Sequence, residues 1–268
     1  MIGVFDSGFG GLTVLKYFLR DLPDYNYVYF GDNARAPYGS KSQDVIFEYT
    51  KEAVDFLFGK NCSLIIVACN TASAQALRKI QQEYLPQKYP GKRVLGVIRP
   101  LVEEVVKKSD IKRVGVLGTK ATINSHVYKT ELHKINPDLE VLEKSAPLLA
   151  PLIEEGWQKK PETKMILKKY LRPLKEKKIQ ILILACTHYP ILLKEARKIM
   201  GKSCEIWDPG EIIAISLKKY LARHQDLVVK DEKRAKVKFY TSDNVEDFKK
   251  SGEKFLGTKI HNIEKNIL

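Results

Sequence analysis

The sequence predicts an α/β protein of two similar parallel-sheet domains, related by a pseudo-two-fold internal repeat, with its functional site in the cleft between them. Three observations lead there. Short β-branched or aromatic runs alternate with longer amphipathic stretches. One strand-and-cysteine segment recurs 117 residues later, from position 64 to position 181. A second segment, a strand running into a small polar loop, recurs at a similar distance. Strands are expected at 2–5, 27–30, 64–68, 94–97, 113–117, 140–144, 181–185, 205–207 and 237–241. Between them, 12–19 presents Leu12, Leu15, Phe18 and Leu19 on one helical face, and 43–58 presents Ile46, Phe47, Val54, Leu57 and Phe58. Further helices are expected at 212–221 and 245–255.

The repeat organises the chain. Leu64-Ile65-Ile66-Val67-Ala68-Cys69-Asn70-Thr71 aligns without gaps on Ile181-Leu182-Ile183-Leu184-Ala185-Cys186-Thr187-His188. Each is a buried strand ending at a cysteine followed by hydrogen-bonding side chains. The second pairing sets 2–8 against 114–119. Ligands of open parallel sheets bind at the carboxyl ends of strands, so one thiol is expected on each wall of a cleft. Breaks near Ile98-Arg99-Pro100, where the proline should end the strand pattern, and at Asp208-Pro209-Gly210 divide the chain into 1–97 plus 210–268 and 98–209.

With 268 residues, 44% hydrophobic and 29% charged, the composition excludes fibrous and low-complexity classes. No run approaches the roughly 18 to 20 apolar residues of a membrane helix, and Met1-Ile2-Gly3-Val4-Phe5-Asp6 reads as a strand rather than a leader. A soluble cytoplasmic protein without membrane association is expected. Four cysteines are too few for a disulfide framework in a chain of this length. The formal charge of +14 would attract anions. Its lysines, however, fall in solvent-facing helical runs without interleaved aromatics, so no dedicated nucleic-acid site is expected.

A thiol at a strand end just before a helix lies in the positive field of the helix N-terminus, which favours thiolate. Both Cys69 and Cys186 fit that description, whereas Cys62 and Cys204 read as core. A redox pair would more often be a local Cys-x-x-Cys. Two acid/base groups on opposite faces of one carbon can instead remove a proton from one side and return it from the other, inverting the centre. Asp6 and Ser7 precede Gly8-Phe9-Gly10-Gly11, where backbone N–H groups can hold a carboxylate; the cluster is neither a G-x-G-x-x-G nor a P-loop. Asn70, Thr71, Thr119, Thr122 and Thr187 offer further hydrogen bonds to a small anion. His188 can exchange a proton with a thiol or with a substrate amine. Glu154 fits an acid/base role and a helix-dipole role equally well. No pyridoxal phosphate motif and no metal-ligand spacing occurs, so no cofactor is expected. Two other classes fit parts of the pattern: a basic nucleic-acid-binding protein on an enzyme fold, and a thiol hydrolase using a Cys–His pair. The duplicated cysteine disfavours the hydrolase.

The ordered motifs resemble the glutamate racemases, cofactor-independent bacterial enzymes of the aspartate/glutamate racemase superfamily. The resemblance spans most of the chain. It rests on Asp6-Ser7-Gly8-Phe9-Gly10-Gly11-Leu12-Thr13-Val14, Pro37-Tyr38-Gly39 and Ala68-Cys69-Asn70-Thr71-Ala72-Ser73. It continues through Leu117-Gly118-Thr119 with Thr122 and Ser125, the Pro151 to Gly156 turn, Cys186-Thr187-His188-Tyr189-Pro190, and Asp208-Pro209. It implies that Cys69 takes the α-proton of D-glutamate and Cys186 that of L-glutamate, with Asp6, Glu154 and His188 assisting. It implies substrate binding by Asp6, Ser7, Tyr38, Gly39, Asn70, Thr71, Thr187 and His188. It also implies a homodimer that supplies D-glutamate for peptidoglycan. Ala185 stands where the family usually has glycine, and Asn33 where threonine is common.

Overall fold

The computed structural model describes residues 1–231 and 236–268. Among the described residues, ten strands are arranged in two wholly parallel sheets. The first holds β1 (Ile2–Asp6), β2 (Tyr27–Gly31), β3 (Leu64–Val67), β4 (Arg93–Gly96), β9 (Val237–Thr241) and β10 (Ile263–Lys265), in the order β10-β9-β2-β1-β3-β4. The second holds β5 (Arg113–Gly118), β6 (Glu140–Ser145), β7 (Ile181–Ala185) and β8 (Glu205–Ile206), in the order β6-β5-β7-β8. The inner strands β1, β3 and β7 are buried along their whole length, as apolar runs covered on both faces must be.

The longer connecting helices bury one apolar face. In the first half they are α1 (Leu12–Asp21), α2 (Gln43–Gly59), α3 (Asn70–Gln75), α4 (Leu77–Lys79) and α5 (Leu85–Lys88). Then follow α6 (Ile98–Val106), α7 (Lys120–Asn124), α8 (Val127–Ile135), α9 (Leu149–Glu154), α10 (Pro161–Glu176), α11 (Leu193–Met200), α12 (Pro209–Arg223) and α13 (Val245–Leu256). On α1, Leu12, Leu15 and Phe18 are buried, as the periodicity requires. Helix α12 begins with Pro209, whose missing N–H costs nothing in a first turn, and is capped by the Asp208 carboxylate, which accepts from Gly210 N. Asp208 also accepts from the Tyr17 hydroxyl of α1 at 2.7 Å, tying the returning chain to the first helix.

Three expectations are corrected in detail. The fourth strand runs over Arg93–Gly96 rather than 94–97, because Val97 already adopts helical angles as the cap of α6. Pro100 therefore does not end a strand pattern; it lies in the first turn of α6, where no N–H is needed. The eighth strand stops at Ile206, and β10, three residues of mixed polarity at the sheet edge, had no periodic signal to announce it. Among the described residues no helix is long and apolar enough to cross a membrane.

The two sheets share one connectivity. In the first, the chain leaves β1 for β2 on one side and returns to β3 on the other; in the second, it leaves β5 for β6 and returns to β7. Each sheet thus has a switch point, β1/β3 and β5/β7, where the crevice at the strand ends can take a ligand.

Candidate active site

Each switch point holds a cysteine. Cys69 follows β3 and forms the N-cap of α3, its sulfur accepting from Ala72 N at 3.4 Å. Its thiol donates to Ser7 Oγ at 3.5 Å. Cys186 follows β7, and its sulfur lies 3.8 Å from His188 Nδ1. Both residues are buried.

Asp6 ends β1 and is fully buried. Its carboxylate accepts from Gly8 N at 3.0 Å and, across the two halves, from Thr187 Oγ1 at 3.2 Å. Burial raises the Asp6 pKa, while the His188 charge and the bonds from Gly11, Gly8 and Thr187 oppose that rise. Thr13 adds a second tie across the halves, donating to the Thr187 carbonyl at 3.0 Å. This close approach explains Gly10: a Cβ there would stand 2.2 Å from Thr187 Oγ1 and 2.7 Å from His188 Nδ1.

Glu154, at the end of α9, accepts from His188 Nε2 at 2.8 Å. Burial would lower the imidazole pKa, but hydrogen bonds and fields from Cys186 and Glu154 outweigh it and raise the value to about 10. These partners favour the protonated imidazole, with Nδ1 toward the Cys186 sulfur and Nε2 on the carboxylate. Phe255 of α13 meets the ring edge-on, with centroids 5.4 Å apart. Beyond the pair, Glu154 lines a cavity of about 450 Å³ whose apolar wall includes Ile153, Ile191 and Phe255.

Cys69 has no such cation. Burial, then the Asp6 charge, pushes its thiol up to about 12, with only the Ser7 and Ala72 bonds opposing. The expectation that a helix N-terminus would favour thiolate is overturned here, because desolvation outweighs the dipole of a six-residue helix. At Cys186 the geometry also differs from expectation: a 3₁₀ turn, Tyr189–Leu192, and not an α-helix, comes next in the chain.

The remaining polar side chains are bonded to other protein groups. The hydroxyls of Thr71, Thr119 and Thr122 make a closed triangle with sides of 2.9, 3.0 and 3.2 Å, bringing α3 against α7. Thr119 also caps α7. Gly39 presses on Thr119, where an added Cβ would meet the threonine Cβ at 2.7 Å. Tyr38 is buried, but its hydroxyl donates to Asp32, which also accepts from Arg35 Nε and Ser242 Oγ. Asn70 is buried, and its Oδ1 accepts from the Tyr128 hydroxyl at 2.6 Å. The fold thus brings together three polar groups, Cys69 with Ser7, Asp6 with Thr187, and Cys186 with His188 and Glu154, and a further one of Thr71, Thr119 and Thr122 against which Gly39 packs. Tyr128 escaped sequence reasoning, since an aromatic residue in an amphipathic helix reads as core. The steric role of Gly10 had no local signal at all. Cys62 and Cys204 are buried in the apolar core, as expected. Among the described residues no group of three or more His, Cys, Asp or Glu is placed to hold a metal ion.

Comparison with known proteins gives this arrangement a family. Residues 14–215 match the family described as Asp/Glu/Hydantoin racemase. The chain is 38% identical over 263 residues to a glutamate racemase of Geobacter metallireducens, covering 98% of this chain and 94% of that one. It is 44% identical over 221 residues to a glutamate racemase of Aquifex pyrophilus, covering 82% and 83%. Among solved structures, a glutamate racemase isoform from Bacillus anthracis superposes with a TM-score of 0.92 at 34% identity, over 100% of this chain and 97% of that one. The Francisella tularensis glutamate racemase in complex with D-glutamate gives a TM-score of 0.89 at 37% identity, over 99% and 96%. Sequence and fold agree, and the chain belongs to the Asp/Glu/Hydantoin racemase family as an amino-acid racemase.

Proposed function

We propose that this enzyme interconverts L- and D-glutamate without a cofactor, moving the α-proton between two thiols on opposite faces of Cα. The observation that carries the reading is the pair of cysteines at equivalent switch points, each with its own polar partner. Cys69 as thiolate takes the α-proton of D-glutamate: an S–H bond forms, the Cα–H bond breaks, and its electron pair passes into the carboxylate as enolate character. Cys186 as thiol then returns a proton to the other face and is left as thiolate. The reverse direction starts from Cys186 and L-glutamate. A carbon acid this weak needs a strong base, and a thiol pushed up to about 12, once ionised, is the stronger for it.

His188, charged and held by Glu154, is placed to hold or return a proton at the Cys186 sulfur. Asp6 and Ser7 do the corresponding work at Cys69. Tyr38, Gly39, Asn70, Thr71, Thr119, Thr122 and Thr187 bind substrate, with donors facing the carboxylates where charge develops. In this reading, 1–97 plus 210–268 and 98–209 are the two units that bracket the cleft. The enzyme works in the cytoplasm as a homodimer, and its product D-glutamate feeds peptidoglycan synthesis. The resemblance to the family supports these assignments.

The test is incubation of purified protein with L-glutamate in D2O, in chelator and without added cofactor, following optical rotation and α-deuterium together. Rotation should decay to zero as deuterium enters the product. Unchanged rotation and no deuterium, or activity only after a cofactor is added, would overturn the proposal.

A further inference from the structure

Two consecutive residues after Cys69 are held by hydroxyls from the other half of the molecule: Thr71 by Thr119 and Thr122, and Asn70 by Tyr128. The second contact has a directional consequence. An asparagine amide has an acceptor end, Oδ1, and a donor end, Nδ2, related by a half-turn of the side chain. Tyr128 lies in the first turn of α8, is fully buried, and donates to Oδ1 at 2.6 Å. Its helix is anchored to the threonine triangle, because Ser125 Oγ donates to the Thr122 carbonyl at 2.6 Å and accepts from Val127 N at 3.3 Å. Burial, then the field of Cys186, holds the phenol pKa far above its ordinary value, so the hydroxyl keeps its proton and remains a donor.

We propose that Tyr128 is a positioning residue that holds the Asn70 amide by Oδ1, so that the Nδ2 hydrogens are the end offered to a substrate carboxylate. With the amide reversed, Oδ1 would face the ligand, and a carboxylate repels an acceptor. By taking up Oδ1 the hydroxyl supports the binding-competent orientation and leaves Nδ2 for the ligand, without touching substrate. The inference rests on the proposed glutamate chemistry for its choice of ligand.

Tyr128→Phe removes only the hydroxyl and keeps the ring that fills the site. It should raise KM for both enantiomers roughly tenfold, the scale of one hydrogen bond, and leave kcat within about twofold. Asn70→Ala should raise KM at least as much, and the double variant should be no worse than Asn70→Ala alone. The ¹⁵N-labelled side-chain amide of Asn70, identified by its loss in Asn70→Ala, should shift or double in Tyr128→Phe. Multiplying KM effects in the double variant would overturn the proposal. A lowered Tm with unchanged KM and an unchanged amide signal would overturn it as well. If the wild type did not turn over glutamate, the glutamate reading would fail and the amide signal would still decide: a shift in Tyr128→Phe supports the lock, and no change overturns it.

Discussion

The two halves repeat one connectivity and place a cysteine at the same point in each, yet they surround the two sulfurs differently. Cys69 sits among neutral groups and an anion: the Ser7 hydroxyl that accepts from its thiol, the Ala72 amide and the Asp6 carboxylate. Cys186 sits beside an imidazole that is itself held by Glu154, which favours its protonated form. Topology therefore sets where a thiol stands, and the residues of the following loop set what it meets there. The difference also has a limit imposed by thermodynamics. Two enantiomers have equal free energy in water, so any variant must lose kcat/KM equally in both directions. An asymmetric site shows itself in kcat, KM and isotope effects taken separately.

The largest expected effect tests whether both halves are needed. Cys69→Ser and Cys186→Ser should each lower racemisation by about 10³-fold or more, the upper range of a lost acid/base group. Near wild-type turnover in either variant would break the two-base reading. Next comes the seam between the halves. Gly10→Ala places a Cβ 2.2 Å from Thr187 Oγ1, and it should cost about 10²-fold in kcat/KM, the scale of an ångström-sized misplacement. Thermal unfolding should detect a destabilisation of about 1–3 kcal/mol from the overpacking.

A smaller effect separates the two thiols. His188→Asn should slow turnover by about 10- to 100-fold. It should also enlarge the primary isotope effect with α-deuterated L-glutamate more than with the D-enantiomer, since only Cys186 loses its partner. The same variant tests the raised pKa. The folded imidazole, at about 10, binds its proton more tightly than the ordinary value of 6.5 allows. Its stabilising contribution is therefore complete below pH 6.5 and is lost as pH rises through 10. The Tm of the wild type should fall across that window more than that of His188→Asn, and parallel Tm profiles would refute the shift. The smallest effect concerns Tyr38, whose hydroxyl donates to the buried Asp32. Tyr38→Phe should cost about 1 kcal/mol in stability, read as a lowered Tm, because one hydrogen bond is lost while Asp32 keeps its Arg35 and Ser242 bonds.

Much of this architecture was legible in the chain. The strand and helix order follows from local periodicity, and the short β10, with no periodic pattern, was the strand missed. Both cysteines could be singled out because the segment around Cys69 recurs at Cys186, which no core-packing requirement would reproduce together with its polar flanks. Pro100 misled because a proline after a strand and a proline in a first helical turn look alike until the backbone angles of Val97 are known. The thiolate expectation failed for a related reason. A helix start can be read from sequence, but the extent of desolvation at Cys69 depends on everything packed around it.

By itself, then, the sequence determined the α/β class, the internal repeat and the two cysteines at strand ends, all carried by residues close together in the chain. Only the tertiary structure decided which groups meet. Asp6 bonds Thr187 across 181 positions, Tyr128 holds Asn70 across 58, and Glu154 charges His188 across 34. Hydrogen-bond partners, close approaches such as that at Gly10, and the burial that sets each pKa are properties of space. Residues distant in sequence share them only after the two sheets have packed.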